Sequence, residues 1–260
     1  MTSIENRFEE LRAKREKALI LFLTAGDQPL KDLPDVVETL IEGGADFIEI
    51  GFPFSDPFGE GPTIQASSQR SLGRGTTTAS ILDALTLRPF SVPLVGMGYY
   101  NNFLRPGLAD FARRAKDSGL SGMIISDLVP DEGEEWDRVA KVVGLDTIYL
   151  AAPTSTEERI RQVCEKSTGF VYAVSRTGVT GVQNELSSDV PMLVAYLKTR
   201  TDRPVCVGFG ISKPEHVRSV CGYADGAVVG SFIVDLLHRE WPNGRNKIVQ
   251  AVRELKESTC

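Results

Sequence analysis

The stretch that decides the fold is Val205-Cys206-Val207-Gly208-Phe209-Gly210, followed at short distance by Ala227-Val228-Val229-Gly230-Ser231. Each begins as an apolar run of strand length and ends in glycine. Between them Glu215–Val220 has helical character. Strand, helix and strand in so short a span predict a parallel βαβ unit.

Outward from this unit the same rhythm fills the chain. Strands are predicted at Leu19–Leu23, Phe47–Ile50, Leu94–Met97, Met123–Ile125, Thr147–Leu150 and Phe170–Val174, besides Val205–Val207 and Ala227–Val229. Helix-like segments lie between them, among them Asp35–Glu42, Gly107–Asp117, Glu157–Lys166 and Pro191–Thr199. Alternation without a composition break or linker predicts one (β/α)8 TIM barrel of the α/β class, a single domain over 1–260. An open doubly wound sheet is the alternative. Thr2-x-x-Glu5 reads as a capping box for an extra N-terminal helix, with Ile4, Phe8 and Leu11 on one face. Thr154-x-x-Glu157 and Ser212-x-x-Glu215 show the same spacing and are expected to cap later helices. Asp131–Glu135 reads as a solvated acidic face.

Composition narrows the chemistry. The 260 residues are 42% hydrophobic and 25% charged, with 29 basic and 35 acidic residues and a net charge of −6. No basic run could track a nucleic-acid backbone, and no stretch reaches the roughly eighteen apolar residues of a membrane span. The densely charged Met1–Lys17 does not read as a signal peptide. Cys164, Cys206, Cys221 and Cys260 show no metal spacing, so no metal site and a reducing, cytoplasmic location are expected. With only His216 and His238 available, acid–base work falls to carboxylates, tyrosines or backbone groups.

In such barrels the active site lies where strands hand over to loops at their C-terminal ends. In Phe47-Ile48-Glu49-Ile50-Gly51, Ile48 and Ile50 face the helices, which turns Glu49 inward. A buried carboxyl is either satisfied by a neighbouring donor or is an acid–base group raised toward neutral pKa. The next loop, Pro53-Phe54-Ser55-Asp56-Pro57-Phe58-Gly59-Glu60-Gly61-Pro62-Thr63, is fixed in shape by prolines and projects Asp56 and Glu60 from the rim. The glycine turns at 208–210 and 230–231 let backbone N–H groups approach an anion, and such turns after strands seven and eight suit phosphate. Ser175-Arg176-Thr177-Gly178-Val179-Thr180-Gly181 has the make-up of a closing loop or an ordinary connector.

Taken together, these stretches resemble the tryptophan synthase α subunit family over nearly the whole length. The resemblance rests on Glu49-x-Gly51-x-Pro53-Phe54-Ser55-Asp56-Pro57 with Gly61-Pro62-Thr63-Ile64-Gln65. Further matches are Phe22-x-Thr24-Ala25-Gly26-Asp27, Tyr99-Tyr100-Asn101, Ala152-Pro153-Thr154, Gly178-Val179-Thr180-Gly181 and Gly208-Phe209-Gly210-Ile211-Ser212. It implies cofactor-free retro-aldol cleavage of indole-3-glycerol phosphate to indole and glyceraldehyde 3-phosphate. Glu49 matches the family's acid–base group. Phe22, Tyr100 and Tyr172 match positions around the indole ring, Asp127 the aspartate after strand four, and Arg176 and Thr180 the closing loop. Gly181, Phe209, Gly210, Gly230 and Ser231 match the phosphate-holding groups. The resemblance also implies a β subunit carrying pyridoxal phosphate, an assembly of two α and two β chains, and an Asp56-Pro57-Phe58 tip facing that partner.

Some residues depart from the family pattern. Glu60 stands where aspartate is usual beside the indole nitrogen, and Gly59 replaces the usual alanine before it. Leu21, Met97-Gly98 and Val182-Gln183-Asn184 also differ. The longer Glu60 is expected to be a partial misfit, so that Glu60→Asp raises turnover. Two further readings stand beside the lyase: a weakly catalytic chain that mainly activates a β subunit, and another phosphate-binding barrel such as a sugar-phosphate isomerase.

Overall fold

A computed structural model of the chain describes residues 2–174, 189–208 and 210–260. Its strands are β1 (Ala18–Thr24), β2 (Phe47–Gly51), β3 (Leu94–Gly98), β4 (Leu120–Ile125), β5 (Asp146–Ile148), β6 (Leu150–Ala151), β7 (Val171–Val174), β8 (Val205–Gly208) and β9 (Gly226–Val229). All pairings are parallel, in the order β5-β4-β3-β2-β1-β9-β8-β7-β6. The two ends of that order, β5 and β6, are one stretch of chain interrupted only at Tyr149. The sheet therefore closes into a barrel, as expected, rather than ending in two free edges.

The interruption has a local cause. Tyr149 gives its N–H to Ser167 Oγ at 3.2 Å, and its phenol donates to Asp137 at 2.6 Å. Its carbonyl still accepts from Tyr172 N–H at 3.1 Å, so the seam holds. What reads as one strand over Thr147–Leu150 is thus two short ones. At β4 the strand starts at Leu120, earlier than Met123, because Ser121 and Gly122 break the apolar run; Ser121 sits at a bulge in the pairing with β3, and the ladder resumes at Gly122.

Period-two alternation divides the barrel core into two layers. Leu19, Leu21, Leu23, Ile48 and Ile50 pack outward against the helices. Ile20, Phe22, Phe47, Val95, Met97 and Ile124 fill the interior with residues of the later strands. The N-terminal helix Ser3–Lys14 plugs the lower end of that interior with Ile4, Phe8 and Leu11. Phe8 lies 4.8 Å from Phe47 and 6.0 Å from Phe170, ring to ring. The lower end is closed by apolar groups, which leaves the upper end for polar ones.

Thr2 Oγ1 accepts from Glu5 N–H at 3.2 Å, as its capping motif predicts. The two later motifs do not cap. A tight turn from Ala152 to Ser155 delays the helix Glu157–Lys166, and Thr156 accepts from Arg159 N–H instead of Thr154. The helix Pro214–Cys221 has no side-chain cap, since its leading proline removes one of the donors a cap would serve. In the acidic run, Asp131 pairs with Arg159 at 2.8 Å. Glu134 and Glu135 open the helix Glu134–Val143, where the backbone dipole favours negative charge. Among the described residues no helix is long and apolar enough to cross a membrane.

Candidate active site

At the upper end the inward register brings two carboxyls together. Glu49 lies in β2 between Phe22 of β1 and Val95 of β3. It is 1% exposed, and its Oε1 is buried with no hydrogen-bond partner among the described residues. Burial, and then the nearby charge of Glu60, raise its pKa to about 8. Glu60 is also buried, and that burial raises it to about 7. Glu60 therefore ionises first, and its charge keeps the proton on Glu49. Between these values the pair holds one proton-donating and one negative carboxyl, the division of labour acid–base chemistry needs.

Glu60 opens into a narrow recess lined by Phe22, Thr24, Gly51, Phe54, Met97 and Tyr99, among others. Gly51 is required there, because any Cβ would collide with the Phe22 ring. Across the barrel, Tyr172 is buried and its phenol held well above the usual range, first by burial and then by the charges of Glu49 and Glu60. Its hydroxyl fills the space that a side chain at Gly208 would need. Phe22 lines the recess, and Tyr172 belongs to the same inward-facing layer.

Tyr100 does neither. Tyr99 lines the recess, whereas Tyr100 opens the helix Tyr100–Leu104 and packs against the outer core layer. Alternation explains this: Val95 and Met97 face inward, so Tyr99 does too. Asp127 is exposed and uses its carboxylate to accept Tyr100 N–H at 2.7 Å. Gly210 adopts φ +77°, a conformation suited to glycine, and Gly230 leads into the helix Ser231–Glu240. Val207 pairs with Ala227, so the two turns lie side by side on the rim. Arg176, Thr180, Gly181 and Phe209 lie outside the described residues. At the loop tip, Ser55 Oγ donates to Asp56 at 2.6 Å, Pro57 borders the recess, and Phe58 is 69% exposed.

Besides Tyr99, two residues escaped the sequence reading. Asn102 accepts Tyr99 N–H at 3.0 Å and donates to Pro53 O at 3.1 Å, tying the β2 and β3 loops together. Ser126 follows β4 two residues after inward-facing Ile124, and its buried Oγ has no partner among the described residues. Alternation carried one step past the strand ends would have found both Tyr99 and Ser126.

The sequence model described as tryptophan synthase alpha chain matches residues 8–259. The chain belongs to that family. A tryptophan synthase alpha chain from Gloeobacter violaceus is 44% identical over 97% of this chain and 93% of its own length. One from Geobacter sulfurreducens is 46% identical over 92% of this chain and 91% of its own. A solved tryptophan synthase structure from M. tuberculosis, in its aminoacrylate-bound form, superposes with a TM-score of 0.89 at 32% identity, covering 100% of both chains. As a tryptophan synthase alpha chain, this protein is a carbon–carbon lyase of tryptophan biosynthesis that cleaves indole-3-glycerol phosphate to indole and glyceraldehyde 3-phosphate. Alpha chains of this family function with a β subunit. Membership removes the isomerase reading.

Proposed function

We propose that this cleavage runs on Glu49 as the proton carrier and Glu60 as the charge stabiliser. Protonated Glu49 donates to indole C3, which places positive charge on the ring nitrogen. Ionised Glu60 meets that charge through the N–H. The resulting carboxylate of Glu49 then takes the proton of the side-chain hydroxyl as the bond to C3 breaks. The bonding pair returns to the ring, giving neutral indole and the aldehyde. One proton enters at carbon and one leaves from oxygen, so Glu49 ends as it began. The ring itself accepts the electrons, and the scheme needs no cofactor in this chain. The observation that carries this reading is Glu49, buried, without a partner at Oε1 among the described residues, and raised to about 8.

In this scheme Phe22 and Tyr172 hold the flat ring, and Gly210, Gly230 and Ser231, with Phe209 and Gly181, hold the phosphate. Thr180 and Arg176 act from the closing loop, with Thr180 orienting Glu49. The bare backbone of the turns and the helix start beyond Gly230 support the phosphate assignment. The Asp56-Pro57-Phe58 tip faces a β subunit that carries pyridoxal phosphate, in an assembly of two α and two β chains. The exposed Phe58 beside the recess supports that face. The chain acts as one domain in the cytoplasm. The test is indole release from indole-3-glycerol phosphate with and without a β subunit. Release that rises when a bound β subunit is titrated in is expected. A chain that binds the β subunit and activates it, yet releases no indole, would overturn the proposal in favour of a purely activating role.

A further inference from the structure

Glu60 is held on a backbone pinned at two points. One residue before it, Gly59 N–H donates to the Tyr99 hydroxyl at 3.0 Å. On its own carbonyl it accepts from Gln65 Nε2 at 2.9 Å. Tyr99 is itself immobilised. It is 3% exposed, stacks on Phe54 at 4.9 Å between centroids and meets Phe58 edge-on at 5.3 Å. A Cβ added at Gly59 would lie 3.2 Å from the same hydroxyl, closer than carbon and oxygen normally sit, and, its chain neighbours aside, would meet nothing else within 4 Å among the described residues. The absence of a side chain at 59 therefore matters for one contact, the seat of the phenol on the backbone.

We propose that Tyr99 is a positioning residue for Glu60, and that Gly59 and Glu60 form a matched pair. The phenol docks on bare backbone and sets the loop at a depth from which glutamate, rather than aspartate, reaches the indole nitrogen. This rests on the role given to Glu60 above and reverses the expectation that its extra methylene is a misfit. With the backbone fixed on both sides, the side chain alone spans the remaining gap. Shortening it withdraws the carboxyl by roughly an ångström, a displacement that can lower rates on the order of 10²-fold. Tyr99 acts through this contact and not as an acid or base. Burial, and next the Glu60 charge, push its phenol up to about 12, so it keeps its proton throughout the working range.

The test compares Tyr99→Phe, Gly59→Ala, Glu60→Asp and the double variant Gly59→Ala/Glu60→Asp with the natural chain, each with a β subunit present. Tyr99→Phe keeps the stacked ring and removes only the acceptor. It should lower kcat by about tenfold, as loss of one well-placed hydrogen bond does, with KM within about twofold. The limb of the pH profile that belongs to Glu60 should move with it. Gly59→Ala and Glu60→Asp should each lower kcat, and the double variant should be faster than the product of the two losses. Normal kcat and an unmoved pH profile in Tyr99→Phe would overturn the inference, as would simple multiplication in the double variant. Urea unfolding midpoints identify any variant that fails to fold, and the near-isosteric Tyr99→Phe keeps the test decisive. Glu60→Gln separates the two levels of argument. Full activity in Glu60→Gln sinks the role of Glu60 itself, and with it this inference. An inactive Glu60→Gln beside a normal Tyr99→Phe sinks only the inference.

Discussion

Two carboxyls on the same segment, Asp46 and Glu49, are buried to the same degree, each 1% exposed, yet their surroundings are opposite. Asp46 accepts from Arg7 at 2.7 Å, Lys256 at 2.9 Å and Leu19 N–H at 2.8 Å. It joins the N-terminal helix, β1 and the helix Arg245–Glu257 at the lower end of the barrel. Glu49 keeps one oxygen without a partner among the described residues and faces a second acid. Burial alone does not make an acid–base group. A buried carboxyl given cations and an N–H is a fastening, and one denied them holds its proton and can release it.

The largest expected effect separates the two by turnover. Glu49→Gln should lower indole release by at least the roughly 10²–10⁴-fold typical of a lost acid–base group. Asp46→Asn should leave turnover per folded molecule within about twofold, since it touches no reacting atom. Retention of a tenth of normal turnover in Glu49→Gln, measured in steady state, would end the assignment and the comparison together.

Stability should separate them in the opposite sense. Glu49 has a folded-state pKa raised from the ordinary 4.5 to about 8. The folded chain therefore binds this proton more tightly than the unfolded one. The associated stability is full below about 4.5 and is lost as pH rises through about 8. At pH 8.5 Glu49→Gln removes that penalty and should stabilise the fold by about 2 kcal/mol, after allowance for an amide left partly unsatisfied. The gain should vanish near pH 4.5. Asp46→Asn should destabilise by about 2 kcal/mol at neutral pH, because charge-assisted bonds are weakened at a buried site. Urea unfolding at the two pH values checks both signs. A destabilised Glu49→Gln at pH 8.5 would mean that its oxygen has a partner.

The barrel was legible because period two and its helical counterpart run through almost every segment. The inward turn of Glu49 followed from Ile48 and Ile50 alone. The satisfaction of Asp46 was not legible, since its partners Arg7 and Lys256 lie 39 and 210 positions away and only closure of the barrel brings them in. Local motifs failed where a turn or a proline intervened, as at Thr154 and Ser212. Tyr99 was missed because the tyrosine pair was matched as a motif instead of being counted along the strand. The charge of Glu60 could be read from sequence. Its pinned backbone could not, because Tyr99 reaches it from another loop, 40 positions on.

A smaller effect is the shape of the pH profile. The productive form has Glu60 ionised and Glu49 protonated. The rate constant kcat/KM should therefore fall below about 7, as Glu60 gains a proton, and above about 8, as Glu49 loses its own. Glu60→Gln should remove the acid limb. It should also move the alkaline limb to lower pH, because the Glu60 charge contributes to holding the proton on Glu49. Asp46→Asn should leave both limbs in place. A profile flat from pH 6 to 9 would show that neither carboxyl controls the rate.

The smallest effect comes from taking away one partner of the satisfied acid. In Arg7→Met, Asp46 still has Lys256 at 2.9 Å and Leu19 N–H at 2.8 Å, so the carboxylate remains paired inside the barrel floor. Arg7 also bonds Glu10 at 3.0 Å, an exposed pair of little worth. Its side chain is about a quarter exposed, at 24%, so part of the lost attraction is already screened by water. Methionine retains much of the apolar stem that lies along the helix. The loss should be about 1 kcal/mol, well below the several kcal/mol of a buried charge stripped of every partner. Turnover and both pH limbs should be unchanged. A loss above about 3 kcal/mol would mean that Lys256 cannot hold Asp46 alone, and that the fastening depends on both cations at once.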